Sequence, residues 1–186
     1  MDNSSRQLKF MVYASLMATL TAVGAYIAIP IGPVPIVLQN LFVMLAGLLL
    51  GGRWGLTSVG VYLLAGAVGL PVFAGGTGGI GKFVGPTGGY LLGFAAAAYV
   101  IGKISERGKG LVAVDILAMI LGTIIIYGLG VSWLKVVTGM SISKAVTVGM
   151  LPFLFGDALK IAAAIPIARA LRPIIAGNLG GLYAVK

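Results

Sequence analysis

The chain has 186 residues, 59% hydrophobic and only 9% charged, and its mean hydropathy is +1.09; a water-soluble domain of this size cannot bury that much apolar surface, so the composition is that of an integral membrane protein. It has no cysteine, no histidine and four carboxylates, which excludes thiolate chemistry, removes the commonest metal ligand and general base, and leaves hydrolysis little to work with. The formal net charge of +9 is carried between apolar runs, where it sets membrane topology; it forms no stripe for nucleic acid.

A spanning helix needs about 20 apolar residues. Six candidates follow one another: 10–29, ending at Pro30; 36–50; 55–70, ending at Pro71; 89–104; 111–134; and 151–174. The second and third are short and are separated only by residues 51–54, which predicts an antiparallel hairpin. With a cytoplasmic N-terminus, Arg6, Lys9, Arg53, Lys103, Arg107, Lys109, Arg169, Arg172 and Lys186 share one side, against Lys82, Lys135 and Lys144 on the other. That bias places both termini in the cytoplasm. The first run is too long for a cleaved signal peptide, and five more spans follow it. The predicted fold is therefore all-α: one six-helix transmembrane bundle over residues 1–175, with a tail of unassigned role over 176–186. No inverted internal repeat of the kind common in secondary transporters is present.

The outer connections differ from the inner turns. Residues 29–35 read IPIGPVP, a rigid proline turn; 71–89 is a glycine-rich loop; 130–149 contains Trp133 and an amphipathic stretch around Lys135. Together they are large enough to form a lid. The loop carries Gly76-Thr-Gly-Gly-Ile-Gly81, followed by Lys82 and Phe83. This is a near-match to a phosphate-binding loop, but Phe83 stands where the magnesium-binding hydroxyl is required and no acidic residue is near. The nucleotide reading is rejected. The loop either turns tightly between helices or lines a pocket over the bundle with its backbone groups.

Asp157 and Lys160 lie three apart inside the last apolar run, so their side chains share one helix face and can meet. A lone ion at the centre of a spanning helix costs about 2.5–3.5 kcal/mol, which makes such a pair a functional-site hypothesis. The alternative is a structural ion pair that locks the helix to its neighbours. Gly156 leaves room for a neighbouring group to approach. Gln39 and Asn40 near the outer end of the second helix must find partners; they either cap the helix or meet a ligand. Tyr90 either stacks on a ring or donates its hydroxyl, or else sits in the interfacial aromatic belt. Ala14, Ala18 and Ala22 recur every fourth residue in the first helix, a smooth face for internal packing or for a partner membrane subunit.

Gly32-Pro-Val-Pro35 followed by Gln39, Ala46-Gly-Leu-Leu-Leu-Gly51, Gly69-Leu-Pro-Val-Phe-Ala-Gly-Gly76, Gly85-Pro-Thr-Gly-Gly-Tyr-Leu-Leu-Gly93 and Gly156-Asp-x-x-Lys160, in that order, resemble the BioY family, the biotin-specific S components of energy-coupling-factor vitamin transporters. Val37 and Asn40 stand where such families often carry threonines, and Thr77 takes the place of a ligand-contacting asparagine found in some members. The resemblance implies a prokaryotic plasma-membrane protein that binds biotin and is not itself an enzyme, with no cofactor. It implies a transmembrane coupling subunit and two cytoplasmic ATPases as partners. Asp157 would accept from a ureido N–H of biotin, with Lys160 paired to it and donating. Gln39, Thr77 and Tyr90 would complete the polar shell, Phe73 and Pro35 would wall the ring, and Lys160 or Lys82 would take the carboxylate. Ala14, Ala18 and Ala22 would form the face on which the coupling subunit docks. Two other readings stay open at this point: a membrane scaffold with a structural Asp–Lys pair, and an ion-coupled carrier using Asp157 as a proton site.

Overall fold

The structure is a computed structural model that describes residues 3–29 and 33–179. Five stretches are long and apolar enough to cross a membrane, the longest being Ile142–Asn178, and the chain is a multi-pass membrane protein. Large apolar side chains such as Val12, Leu64, Ile124 and Phe155 point outward, as a lipid-facing surface requires, while Met44, Leu48, Leu49, Ile101 and Met119 fill the centre.

Helix α1 (Asn3–Tyr26) ends earlier than its apolar run, because Ala28–Ile29 (β1) pairs antiparallel with Ile36–Val37 (β2). The expected proline turn is thus closed by a short two-stranded hairpin, and helix α2 starts only at Gln39. Pro30 and Gly32 lie outside the described residues.

Helix α2 (Gln39–Ala67) contains the predicted helical hairpin. Gly51 adopts φ 79° and ψ 177° inside it, a combination open essentially to glycine alone. A Cβ at Gly55 would stand 3.0 Å from the Gly47 Cα; in a continuous helix, residues eight apart are separated by about 12 Å. The second arm therefore folds back along the first, and with the two arms counted separately the bundle has the six helices expected. Glu106 closes the turn: its Oε1 accepts from the Gly52 N–H at 2.9 Å while Lys103 holds Oε2 at 3.0 Å. A Cβ on Gly51 would lie 2.3 Å from that Oε1. Gly51→Ala is expected to lower stability by about 1–3 kcal/mol. Gly60→Ala, with no atom within 4 Å of its Cβ position, is expected to be neutral or better. Thermal unfolding in detergent compares the two, and equal midpoints would refute the role given to Gly51.

After α2 a loop carries the four-residue helix α3 (Gly81–Val84) into α4 (Gly88–Gly108), which stops at the left-handed Lys109. Helix α5 (Val112–Thr138) absorbs the stretch around Lys135 as its last turn, and a separate short helix α6 (Ile142–Gly149) follows. Ser141 Oγ caps α6 by accepting from the Lys144 N–H. A 3-10 turn over Leu151–Phe153 leads into α7 (Leu154–Leu179). This helix passes through Pro166 and Pro173, so residues 176–179 of the expected tail belong to it; residues 180–186 lie outside the described residues. Lys9 Nζ donates to the Asn178 carbonyl at 3.1 Å, and Asn178 to the Tyr13 hydroxyl at 2.9 Å. The beginning of α1 and the end of α7 thus meet at one end of the bundle, as an even number of crossings demands.

Helix α1 turns Phe10, Ala14, Met17, Ala18 and Ala25 inward. Ala14 is 2% exposed and Ala18 6%, and Ala22 is half-buried. Their smallness serves packing within the chain, chiefly against α2, and the outward face of α1 is Met11, Val12, Leu16 and Val23.

Candidate functional site

A cavity of about 170 Å³ lies at the end of the bundle opposite the Lys9–Asn178 contact. It is bounded by the segment leading into α2, by the loop before α4, and by α4, α5 and α7. Eight of the candidate residues singled out in the sequence border it: Pro35, Gln39, Asn40, Phe73, Thr77, Lys82, Tyr90 and Lys160. Phe94, Ile126 and Phe153 add apolar wall that the sequence did not mark.

The loop over the cavity is anchored on both sides. Phe73 is 3% exposed and its ring occupies the space a side chain at Gly66 would need, 2.0 Å from that Cβ position. The ring meets Tyr62 and Phe83 edge-on at 5.4 and 5.8 Å. The Gly79 N–H donates to the Gly66 carbonyl at 2.7 Å, and Trp133 Nε1 donates to the Gly85 carbonyl at 2.9 Å. Tyr26 reaches the Pro71 carbonyl with its hydroxyl. This arrangement is a fitted cover built by glycine turns and aromatic rings; the strand-then-helix context of a phosphate-binding loop is missing.

Two amide groups in the wall are left with unmet hydrogen-bonding capacity. Gln39 Nε2 and Asn40 Oδ1 are buried and have no hydrogen-bond partner among the described residues. Buried polar atoms are nearly always paired, so an adjacent donor and acceptor without partners mark a place where a ligand or water completes the set. Tyr90 is arranged differently. Its hydroxyl donates to the Gly149 carbonyl at 2.8 Å, latching α4 to α6 and leaving its ring against the cavity. Thr77 donates to the Ala74 carbonyl at 3.0 Å, so its hydroxyl oxygen remains free to accept.

Lys160 Nζ donates to Asp157 Oδ1 at 2.9 Å, and both residues are buried, 8% and 2% exposed. The other carboxylate oxygen, Oδ2, accepts from the Tyr127 hydroxyl. Lys160 and Tyr127 border the cavity, whereas Asp157 stands behind them, on the floor of a groove between α5 and α7. The carboxylate therefore reaches the cavity through its two partners, in place of the direct exposure expected of it. Gly156 faces open space and makes room for nothing. Tyr127 went unmarked in the sequence because a single tyrosine inside a long hydrophobic run carries no periodic signal.

A second buried ion pair lies toward the other end. Arg172 donates to both oxygens of Asp115, at 2.6 and 2.9 Å, to Ser105 Oγ at 2.7 Å and to the Leu48 carbonyl at 3.3 Å. Ser105 in turn donates to Asp115 Oδ1 at 2.7 Å. Arg172 is 4% exposed and Asp115 2%, so Arg172 is no surface cation of the inner side. The signal was present: Asp115 falls inside the predicted span 111–134 and Arg172 inside 151–174, and the test that singled out Asp157 applies to them equally.

The BioY family profile matches residues 1–177. The probable biotin transporter BioY of Pyrococcus horikoshii is 44% identical over 158 residues, which cover 85% of this chain and 93% of its own. The biotin transporter BioY of Thermotoga maritima is 42% identical over 167 residues, covering 90% and 98%. The fold matches the crystal structure of the S-component for biotin from an ECF-type ABC transporter with a TM-score of 0.86 and 32% identity, over 93% of this chain and 95% of that one. With its whole helical body matched in sequence and in fold, the chain belongs to the BioY family.

Proposed function

We propose that this chain binds biotin in the cavity beneath the loop and serves as the membrane-embedded substrate-specificity subunit of an ECF-type transporter in the prokaryotic plasma membrane. The observation that carries the reading is the unpaired Gln39 Nε2 and Asn40 Oδ1 in the wall of a cavity that is largely apolar. Biotin's ureido group offers two N–H donors and a carbonyl acceptor, and an adjacent donor and acceptor match it. Its thioether ring suits the surface made by Phe73, Pro35, Phe94 and Phe153. Lys160 presents a further donor, and Asp157 fixes the position of that ammonium and of the Tyr127 hydroxyl. The family and the structural match support this ligand, since the relatives are named biotin transporters.

In this reading the chain supplies binding and no catalysis. ATP hydrolysis belongs to two cytoplasmic ATPases joined through a transmembrane coupling subunit, and the lipid bilayer is the fourth partner. Titration of the detergent-solubilised chain with biotin is the test. Saturable one-to-one binding is expected, and its absence from a folded sample would overturn the proposal in favour of a scaffold role. Uptake by this chain alone, driven by a proton gradient, would instead favour a carrier.

A further inference from the structure

Two cations border the cavity, Lys82 and Lys160, and they are not equivalent. Lys160 is held at 2.9 Å by Asp157, so that pair brings no net charge to the wall. Lys82, half-buried on α3, has no ion pair or hydrogen bond to its ammonium among the described residues. Charged groups facing the cavity therefore sum to one uncompensated positive charge, and that charge rides on the covering loop. The loop backbone on either side of Lys82 is fixed, at Gly79 by the Gly66 carbonyl and at Gly85 by Trp133. Only the lysine stem has to be ordered when an anion arrives, which keeps the entropic cost of the contact small.

We infer that Lys82 is the specificity-determining cation for the ligand's anionic tail, so that the cavity selects a monoanion with a neutral polar head, while the Asp157–Lys160 pair serves the neutral end. The inference rests on the biotin reading above. A buried anion without a counter-ion is strongly disfavoured, and an exposed or already neutralised cation cannot supply one. The placement also orders the ligand: the head lies against α2, α5 and α7, and the carboxylate lies under the loop beside α3.

The test compares biotin with biotin methyl ester, which keeps the head and removes the charge, by titration of the full chain in detergent. The wild-type chain is expected to bind the acid about tenfold or more tightly than the ester. Lys82→Met should close most of that gap, weakening the acid roughly tenfold and the ester less than about twofold, while Lys82→Arg keeps the preference. The paired replacement Asp157→Asn with Lys160→Gln, which leaves the net charge of the wall unchanged, should weaken acid and ester alike. Equal binding of acid and ester by the wild-type chain would overturn the inference even if no variant folded. So would a Lys82→Met chain that keeps the preference or loses both ligands equally. In these cases the biotin reading survives, whereas a wild-type chain that binds neither ligand overturns both.

Discussion

Asp157→Asn and Lys160→Ala are each expected to weaken biotin binding by about an order of magnitude or more, since truncating one member of a buried hydrogen-bonded charge pair leaves the other unpaired. The geometry sharpens the cause. Lys160 loses its fixed position when Asp157 is neutralised, and the Tyr127 hydroxyl loses its charged acceptor at the same time. Lys160→Ala should also cost about 3–5 kcal/mol of stability, because it leaves the carboxylate buried without its counter-ion. The double variant Asp157→Leu with Lys160→Met separates the two effects. It should recover most of the stability, as apolar replacements of buried pairs often do, without recovering binding. Calorimetric titration and thermal unfolding read the two quantities. Near-native affinity in folded single variants would remove the pair from the binding site and leave it a structural lock.

A similar loss of stability, with little effect on binding, is expected at Asp115 and Arg172. Asp115→Leu or Arg172→Met alone should destabilise the chain by about 3–5 kcal/mol, each removing one member of a buried, hydrogen-bonded ion pair. The guanidinium joins α7 to Asp115 on α5, to Ser105 on α4 and to the Leu48 carbonyl in the first arm of α2. One side chain thus ties four helices at the end remote from the cavity. The pair replaced together by Leu and Met should regain much of the loss, and the coupling energy from the double-mutant cycle measures the interaction itself. Biotin affinity, measured on whatever folds, should change little in all three variants. Wild-type unfolding midpoints in both single variants would show that the network holds nothing together.

The two ion pairs give the bundle a polar layer near each end, separated by the apolar centre around Met44, Leu48, Ile101 and Met119. One layer borders the cavity and the other does not. Chemically the pairs are alike, a carboxylate and a cation buried in helices. Their positions differ: one stands beside the cavity and the other at the far end of the bundle.

Much of the fold was legible because membrane insertion imposes a coarse code. Every backbone polar group must be satisfied inside the bilayer, so long apolar runs become helices and lysines and arginines mark their ends. The hairpin at residues 51–54 was readable from run length, and Gly51 realises it with a backbone conformation that other residues rarely adopt. The boundaries that failed did so for local reasons. Ile36 and Val37 are as apolar as the helix that follows, yet they pair with β1, and hydropathy does not distinguish an extended apolar residue from a helical one. Ala14 and Ala18 meet a related limit: a stripe of small residues records close approach without saying which helix approaches.

Asp157 with Lys160 was legible as a pair because three residues on one helix turn share a face. Tyr127, Phe94 and Phe153 were not, because they join the same region only through packing between helices far apart in sequence. By itself the sequence determined that the chain spans a membrane, how often it crosses, which buried charges lie inside the spans, and which family it resembles. The first three follow from composition, run length and spacing, which are local; the resemblance rests on motifs in their order along the chain. The tertiary structure alone decided that Arg172 meets Asp115, that Asp157 stands behind Lys160 and Tyr127, and that Lys82 is the cavity's uncompensated cation. Each is a matter of which helix faces fold against each other, and contacts between residues tens of positions apart leave no periodicity in the chain to read.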